Sequence, residues 1–493
     1  MLGFPRPQTV RPRRLDALAR SLADLAVHGD AEVTGVSLAS QRVRPGDLYA
    51  ALPGARRHGA EFLDDAVSRG AVAVLSDARG VAAATERGIP AIECADPRAA
   101  VGPVSALVYG EPTRWLSIIG VTGTSGKTST AYLVESGLRA AGRRSGLIGT
   151  VETRIGDETI VSERTTPEAP ELQALFAYAV EQGVTDVVME VSSHALALHR
   201  ADGIHFTVGG FTMFGVDHLD FHDTVEEYFA AKAKLFDGRC DVEVVNADDE
   251  WAKRLVTPKT VTYSLHDSAA SWTATDITGS GFDQSFTARG PGGTYPASVR
   301  LPGRHNISNA LLAYACLAAV GVGAPVAVAG VGECRGIPGR MEMVSGDDPV
   351  RGVVDYAHKP DAVTAVLKAL RPITSGSLIA VIGAGGDRDR SKRPVMGAAA
   401  ADGADLVIVT DDNPRTEDPA AVRAEVLAGV GDRPHRDIAG RAAAIGEAVR
   451  LARPGDTIAL LGKGHEQGQE LADKTVPFDD RRVLADALAA TQH

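Results

Sequence analysis

The sequence predicts an α/β protein of three domains, with a central mononucleotide-binding parallel sheet of the P-loop kind and a C-terminal Rossmann-like α/β domain. Three observations carry this expectation. The chain has 493 residues, enough for about three domains at roughly 100–200 residues each. Apolar strand-like runs alternate with helical patterns, and such alternation builds parallel, doubly wound sheets. Aromatic residues are only 5% of a composition that is 44% hydrophobic; with Ala, Gly and Val abundant, that suits helices packed on sheets.

Residues 1–103 read as a small α/β unit, with "GDLYAAL" and "GAVAVLSD" as strands around the helical "AEFLDDAVSRG". Residues 104–336 form the central domain. There "WLSIIGVTG" is a buried strand ending its apolar run at Val121, and "KTSTAYLVESGLRAAG" is a helix that Gly142 closes. "VTDVVMEVSSH" and "GGFTMF" are further strands, and "ISNALLAYACLAAVGV" another helix. Residues 337–493 carry four buried strands, "VRGVVDYAH", "SLIAVIGAGG", "ADLVIVTDDNP" and "DTIALLGKG". Each runs into a polar or glycine-rich loop, where open α/β sheets bind ligands.

Bulk properties exclude some classes. A net charge of −12 argues against non-specific nucleic-acid binding. Cys94, Cys240, Cys316 and Cys334 are scattered without metal-ligand spacing or a disulfide framework, and read as small core residues of a reducing compartment. The N-terminus has arginines but no signal-type apolar core, and no run approaches the ~18 apolar residues of a membrane span. The expectation is a cytoplasmic protein without stable membrane insertion.

"GVTGTSGKTS", residues 120–129, carries the chemistry. The common G-x-x-x-x-G-K-[ST] loop asks for glycine at 121, where this chain has Val121. A strand, a glycine-rich turn and a helix starting at Lys127 still present backbone N–H groups to phosphate oxygens. Gly123, Thr124, Ser125, Gly126, Lys127, Thr128 and Ser129 form the candidate cradle. Lys127 reaches toward β/γ-phosphates, and the Thr128 hydroxyl suits Mg²⁺. An ordinary glycine-rich βα turn is the alternative, disfavoured by Gly, Lys and Thr together at the junction. The loop implies a nucleoside triphosphate without naming the acceptor. Downstream, Glu190 ends a strand, and Asp217, His218, Asp220, His222 and Asp223 crowd into seven residues before Lys232 on an amphipathic helix. Carboxylates and imidazoles suit Mg²⁺ or Mn²⁺ beside phosphates, while a solvated acidic loop before a capped helix is the plainer alternative.

"TGTSGKTS", "MEVSSHALALHR", "DHLDFH…YFAAKAKLF", "GRHNISNALLA", "PGRME", "VVDYAHKPDAV", "GAGGDRDRSKRP", "DDNPRTEDP" and "GKGHEQGQ" occur in the order seen in Mur ligases, and the resemblance spans about residues 31–482. It implies an ATP-dependent amide ligase using Mg²⁺, in which the N-terminal domain holds the UDP end of the acceptor, the central domain ATP, and the C-terminal domain the amino acid. The implied acceptor is UDP-MurNAc-L-Ala-D-Glu. Its γ-carboxylate attacks the γ-phosphate of ATP, ADP leaves, and an amine attacks the acyl phosphate to give amide and phosphate. Carried over residue by residue, Lys127, Glu190, His218 and Lys232 are catalytic. Thr128 and Glu190 serve one Mg²⁺, and His218 serves a second together with Lys232 as a carbamate (N6-carboxylysine). Asn306, Asn309, Arg340 and Asp355 lie near ATP, although Asn309 also suits a plain helix cap. Ser40, Thr165, Thr166, Ser192 and Arg200 match acceptor contacts, with a surface arginine as the alternative for Arg200.

The resemblance places the amine at Asp412, Asn413, Pro414 and Arg415, with Arg388, Gly462 and Glu466 completing the pocket. Relatives using meso-diaminopimelate carry Asp-Asn-Pro-Arg there, and lysine-adding relatives lack the arginine. Diaminopimelate differs from lysine by a distal carboxylate, which a guanidinium pairs bidentately. A simple turn before a helix is the alternative for Asn-Pro. Departures from the family pattern are Ala39 and Gln41 around Ser40, Met213 for Asn, Val216 for Arg and His305 for Phe. His358 reads equally as a core histidine or a site residue. The rival functions are the lysine-adding or D-alanyl-D-alanine-adding ligase, folylpolyglutamate synthetase, and a catalytically silent nucleotide-binding homologue. A monomer is expected.

Overall fold

The computed structural model describes residues 4–162, 164–219, 221–279, 282–345 and 349–491. The chain packs into two compact units. The first comprises residues 1–273, 290–292 and 311–330, and the second residues 274–289, 293–310 and 331–493.

Among the described residues the first unit contains a two-stranded ribbon, Arg13–Arg14 with Glu32–Val33, and two larger sheets. A five-stranded one runs in the order Ala26–His28, Ala91–Glu93, Ala73–Ser76, Asp47–Ala50, Gly35–Ser37. Only its first pair is antiparallel. Leu48, Ala73, Leu75 and Ile92 are fully buried in its core. The larger sheet begins with the antiparallel strands Glu158–Ile160, Thr153–Ile155 and Ser145–Ile148. It continues in parallel through Asp186–Glu190, Ser117–Thr122, Phe206–Phe211, Cys240–Asn246 and Val261–Ser264.

The strand Ser117–Thr122 lies inside this sheet, and Ile118, Ile119 and Val121 have no exposed surface. Burial on both faces explains its unbroken apolar reading. The strand continues one residue past Val121, to the equally buried Thr122. From it the chain crosses one way, through the helix Lys127–Ala140 to Ser145–Ile148. Later it adds Phe206–Phe211 on the other flank. Strand order therefore reverses at the phosphate loop, the position where doubly wound sheets open a ligand crevice. Register places Glu190 opposite Val121, so its carboxylate ends level with the root of that loop.

The second unit is built on a six-stranded sheet in the order Glu342–Met343, Arg351–Asp355, Thr457–Leu461, Leu378–Ile382, Leu406–Val409, His435–Asp437. All pairs but the first are parallel. Its four central strands are those expected from the apolar runs, and helices cover both faces. The strands Trp272–Thr278, Gln284–Gly290 and Gly293–Val299 are absent from the sequence expectation. They bury only some positions between exposed Thr, Asp and Arg residues, so no continuous apolar run marks them.

Candidate active site

The phosphate loop is built as its residues dictate. Gly123 (φ +135°) and Gly126 (φ +89°) adopt backbone conformations that L side chains rarely take, and a Cβ on Gly123 would sit 1.8 Å from Thr212 Oγ1. Gly126 then caps the helix Lys127–Ala140, whose N-terminus faces the loop. Lys127 Nζ donates to the carbonyls of Gly123 (2.8 Å) and Thr124 (2.9 Å). The Ser125 carbonyl accepts from Thr212 Oγ1 at 2.6 Å. Thr128 is 5% exposed, and Ser129 follows it on the helix.

Glu190 is the hub of the site. Thr128 Oγ1 lies 3.0 Å from both its carboxylate oxygens. The Thr150 amide donates to Oε1 at 2.8 Å and the Thr150 hydroxyl to Oε2 at 3.1 Å. Thr150 Oγ1 also meets Thr165 Oγ1 at 3.0 Å. Thr166 Oγ1 donates to the Glu190 carbonyl at 2.9 Å and accepts from the Ser192 amide at 3.1 Å. One strand end thus joins the phosphate-loop threonine to Thr165, Thr166 and Ser192. Ser192 Oγ in turn caps the short helix Ser193–Ala197. Thr150 is absent from the sequence expectation: it lies forty positions from Glu190 and no motif marks it. The oxygens gathered here, hydroxyl and carboxylate, are hard donors of the kind that hold Mg²⁺.

Lys232 is 1% exposed, and its Nζ donates to the Gly123 carbonyl at 2.8 Å while lying 4.5 Å above the Tyr228 ring. Tyr228 in turn meets Thr124 Oγ1 at 3.0 Å. The helix Val225–Ala233 therefore backs the loop. His218 pairs with Asp217 at 3.0 Å and has a left-handed backbone (φ 53°), a conformation that non-glycine residues adopt at a cost. Its ring stacks edge-on against His194, centroids 4.7 Å apart. His222 is 6% exposed beside Tyr228, Asp223 lies at the surface, and Asp220 is outside the described residues. Among the described residues no cluster of three or more His, Cys, Asp or Glu side chains is arranged to hold a metal ion. Of the departures, Met213 is 38% and Val216 63% exposed. Position 213 meets the loop through its backbone, with the Thr124 amide donating to its carbonyl at 2.8 Å.

Ser40 is 3% exposed and hydrogen-bonds Asp65, which helps hold that carboxyl below its usual range. Arg42 pairs with Glu171 at 2.9 Å. Arg200 lies 2.9 Å from Glu168.

In the second unit, Asn306 and Asn309 are buried and bonded to each other at 3.0 Å, with Asn306 Nδ2 also donating to the Pro302 carbonyl at 2.8 Å. Arg340 stacks 4.7 Å over Tyr356. Asp355 accepts from the Met341 amide at 2.7 Å, and its burial raises its pKa. His358 is half-buried: its Nδ1 donates to the Tyr356 carbonyl at 2.8 Å, and burial, ahead of the neighbouring Lys359 charge, pushes its pKa down to about 3.

The residues Asp412–Arg415 and Gly462–Glu466 come together. Gly462 has φ +114°, and a Cβ there would lie 2.4 Å from Asp412 Oδ2. Asn413 bridges the fully buried Lys463 (2.8 Å) and Glu466 (2.8 Å), and Lys463 pairs with Glu466 at 3.0 Å. Arg415, left-handed at φ 52°, donates to Glu470 at 2.6 Å and to the Gly386 carbonyl at 2.8 Å. The Pro414 carbonyl approaches Gly386 so closely that a Cβ there would lie 1.9 Å away. The positive charge of Arg388 acts on Tyr356, whose hydroxyl burial pushes up to about 12. Lys463 and Glu470 lie in the same "GKGHEQGQE" run as Gly462 and Glu466, so adjacency was the signal that could have found them.

Comparison with known proteins gives this arrangement its class. Residues 32–104 match the Mur ligase family catalytic domain, residues 121–317 the Mur ligase middle domain, and residues 339–464 the Mur ligase glutamate ligase domain. The chain belongs to the Mur ligase family. Within it, the UDP-N-acetylmuramoyl-L-alanyl-D-glutamate–2,6-diaminopimelate ligase of Streptomyces coelicolor is 50% identical over 99% of both chains. A solved structure of a ligase of that name is 34% identical, with a TM-score of 0.67 over 94% of this chain and 96% of the other. The MurF ligase of Thermotoga maritima, solved in complex with ADP, shares the fold at 16% identity, with a TM-score of 0.62 over 93% of this chain and 96% of its own.

Proposed function

We propose that this chain joins meso-diaminopimelate to UDP-MurNAc-L-Ala-D-Glu at the expense of ATP, through an acyl phosphate, in the cytoplasmic synthesis of peptidoglycan precursor. The observation that carries the reading is the Glu190 hub, which ties the phosphate-loop threonine to Thr165, Thr166 and Ser192. The residues that would hold a triphosphate and those that would hold a carboxylate acceptor share one strand end. Names borne by full-length relatives supply the substrates.

The division of labour follows the three sequence domains, 1–103 for the UDP end, 104–336 for ATP and 337–493 for the amine. The amides of Gly123–Thr128 receive the phosphates, and Lys127 exchanges two carbonyls of its own loop for them. Thr166, Ser192 and Arg200 orient the acceptor so that its γ-carboxylate lies in line with the γ-phosphate, and such positioning removes much of the entropic barrier. Thr128 with Glu190, and His218 with a carbamylated Lys232, would hold Mg²⁺, which when bound supplies positive charge against the repulsion between carboxylate and triphosphate. The carbamate adds the anionic oxygens that a lone His218 lacks. Arg415 reads the distal carboxylate of the amino acid, and Glu466 receives its ammonium.

Offering ATP and the acceptor with a panel of amines tests the reading. Phosphate release should need both acceptor and meso-diaminopimelate, and a preference for lysine overturns the amine assignment. Lys232→Ala should lose acyl-phosphate formation without rescue by bicarbonate, so normal turnover by that variant removes the carbamate.

A further inference from the structure

Four arginines converge on two carboxylates at the start of the helix Ala169–Glu181. Glu168, the residue before the helix, is 8% exposed. Arg98 Nη1 donates to its Oε2 at 2.9 Å and Arg164 Nη1 to its Oε1 at 3.2 Å. Arg42 holds the neighbouring Glu171. Arg200 differs. Its Nε approaches Glu168 Oε1 to 2.9 Å yet is buried without a hydrogen bond, and its Nη1 reaches only the Thr166 carbonyl, at 3.5 Å. The pair is close but misaligned, so the charge is balanced while the donor is unused. Burial first, and then the neighbouring Arg164 and Arg98, lower the pKa of Arg200, and Glu168 opposes them. Among the described residues, four guanidinium groups face two carboxylates here, beside the Thr166 and Ser192 hydroxyls.

We infer that Glu168 is a stand-in anion, which balances Arg200 until a free carboxylate of the incoming acceptor takes the aligned contact. Arg98 and Arg164 then keep Glu168 satisfied, because their bonds to it do not involve Arg200. This assigns Arg98, Arg164 and Glu168 to acceptor recognition. It rests on the acceptor named above, whose glutamyl end keeps one carboxylate that does not react.

The test measures acceptor affinity by calorimetry without amine, together with KM and kcat in turnover and the thermal midpoint of each variant. Glu168→Gln should bind acceptor several-fold more tightly and lower its KM, while the KM for ATP stays within twofold. The pair Arg98→Gln and Arg164→Gln should raise the KM for acceptor, because among the described residues Arg200 is then the ion-pair partner left to Glu168. Adding Glu168→Gln to that pair should bring KM back to the wild-type value or below. Weaker binding by Glu168→Gln, or a triple variant worse than the double, would show that Glu168 positions Arg200 and would overturn the inference. A wild-type protein that binds acceptor but releases no phosphate overturns the functional reading while the affinity comparison still decides the role of Glu168. A wild-type protein that binds no acceptor overturns both.

Discussion

The Glu190 hub and the Arg415 pocket are both polar, and their charges are balanced in opposite ways. Glu190 takes its hydrogen bonds from neutral groups, the hydroxyls of Thr128 and Thr150 and the Thr150 amide. These partners orient the carboxylate with dipoles, an arrangement that suits a cation. In the second unit Glu466 faces Lys463, Glu470 faces Arg415, and Asp480 faces Arg441. A pocket whose carboxylates already face cations suits a zwitterion, which brings charges of both signs. Charge balance thus fits the metal and phosphate chemistry proposed for one region and the amino-acid recognition proposed for the other.

The largest effect expected is on stability. Arg441 and Asp480 are both fully buried and joined by two bonds of 2.6–2.7 Å. Asp480→Ala leaves a buried guanidinium without its partner, at a cost of about 3–5 kcal/mol. Chemical denaturation should show the second unit lost at lower denaturant, and an unchanged midpoint would break the view of that region as paired charges. Next, Glu190→Gln keeps the shape of the hub and removes its charge. Phosphate release should fall about 10²–10³-fold, in line with the loss of one electrostatic group in an active site. Full activity in the Gln variant would mean that the hydroxyl network, and not the charge, matters.

Arg415→Ala should raise the KM for diaminopimelate about 10–100-fold, the equivalent of about 1.5–3 kcal/mol for charged hydrogen bonds. The KM for ATP should not move. Equal losses for both substrates would erase the distinction between the two regions.

A pH-dependent effect follows from His358, whose pKa burial pushes from the ordinary 6.5 down to about 3 in the folded chain. Above pH 6.5 neither state binds the proton and its contribution to stability is complete. As pH falls from 6.5 toward 3, the unfolded chain takes up a proton that the folded one refuses, so stability falls. His358→Asn keeps a donor toward the Tyr356 carbonyl and should flatten this slope in urea titrations across that window. Met213→Asn with Val216→Arg should change turnover less than about twofold, since both side chains are exposed and position 213 touches the loop through its carbonyl.

Much of both regions was legible in advance. The phosphate loop is contiguous, and its strand, glycines, Lys127 and Thr128 act through local geometry. Arg415, Gly462 and Glu466 sit at strand ends that apolar runs mark. The three strands between Trp272 and Val299 were not legible, because a half-exposed strand leaves only a weak alternation. Thr150 was missed because a hydrogen-bond partner far along the chain leaves no periodic trace, whereas Lys463 and Glu470 were marked only by their adjacency to Gly462 and Glu466.

By itself the sequence determined the α/β class, the strand that aims the loop and the residue types available for phosphate, acceptor and amine. These follow from short-range chemistry: burial sets the strands, and glycine permits the turns. Only the tertiary structure decided which groups meet. It brought Thr128 and Thr150 onto Glu190, set Lys232 against the Gly123 carbonyl, and left Arg200 close to Glu168 yet poorly aligned. Those meetings depend on strand order and register, and parallel strands acquire their neighbours through crossovers whose order no local pattern encodes.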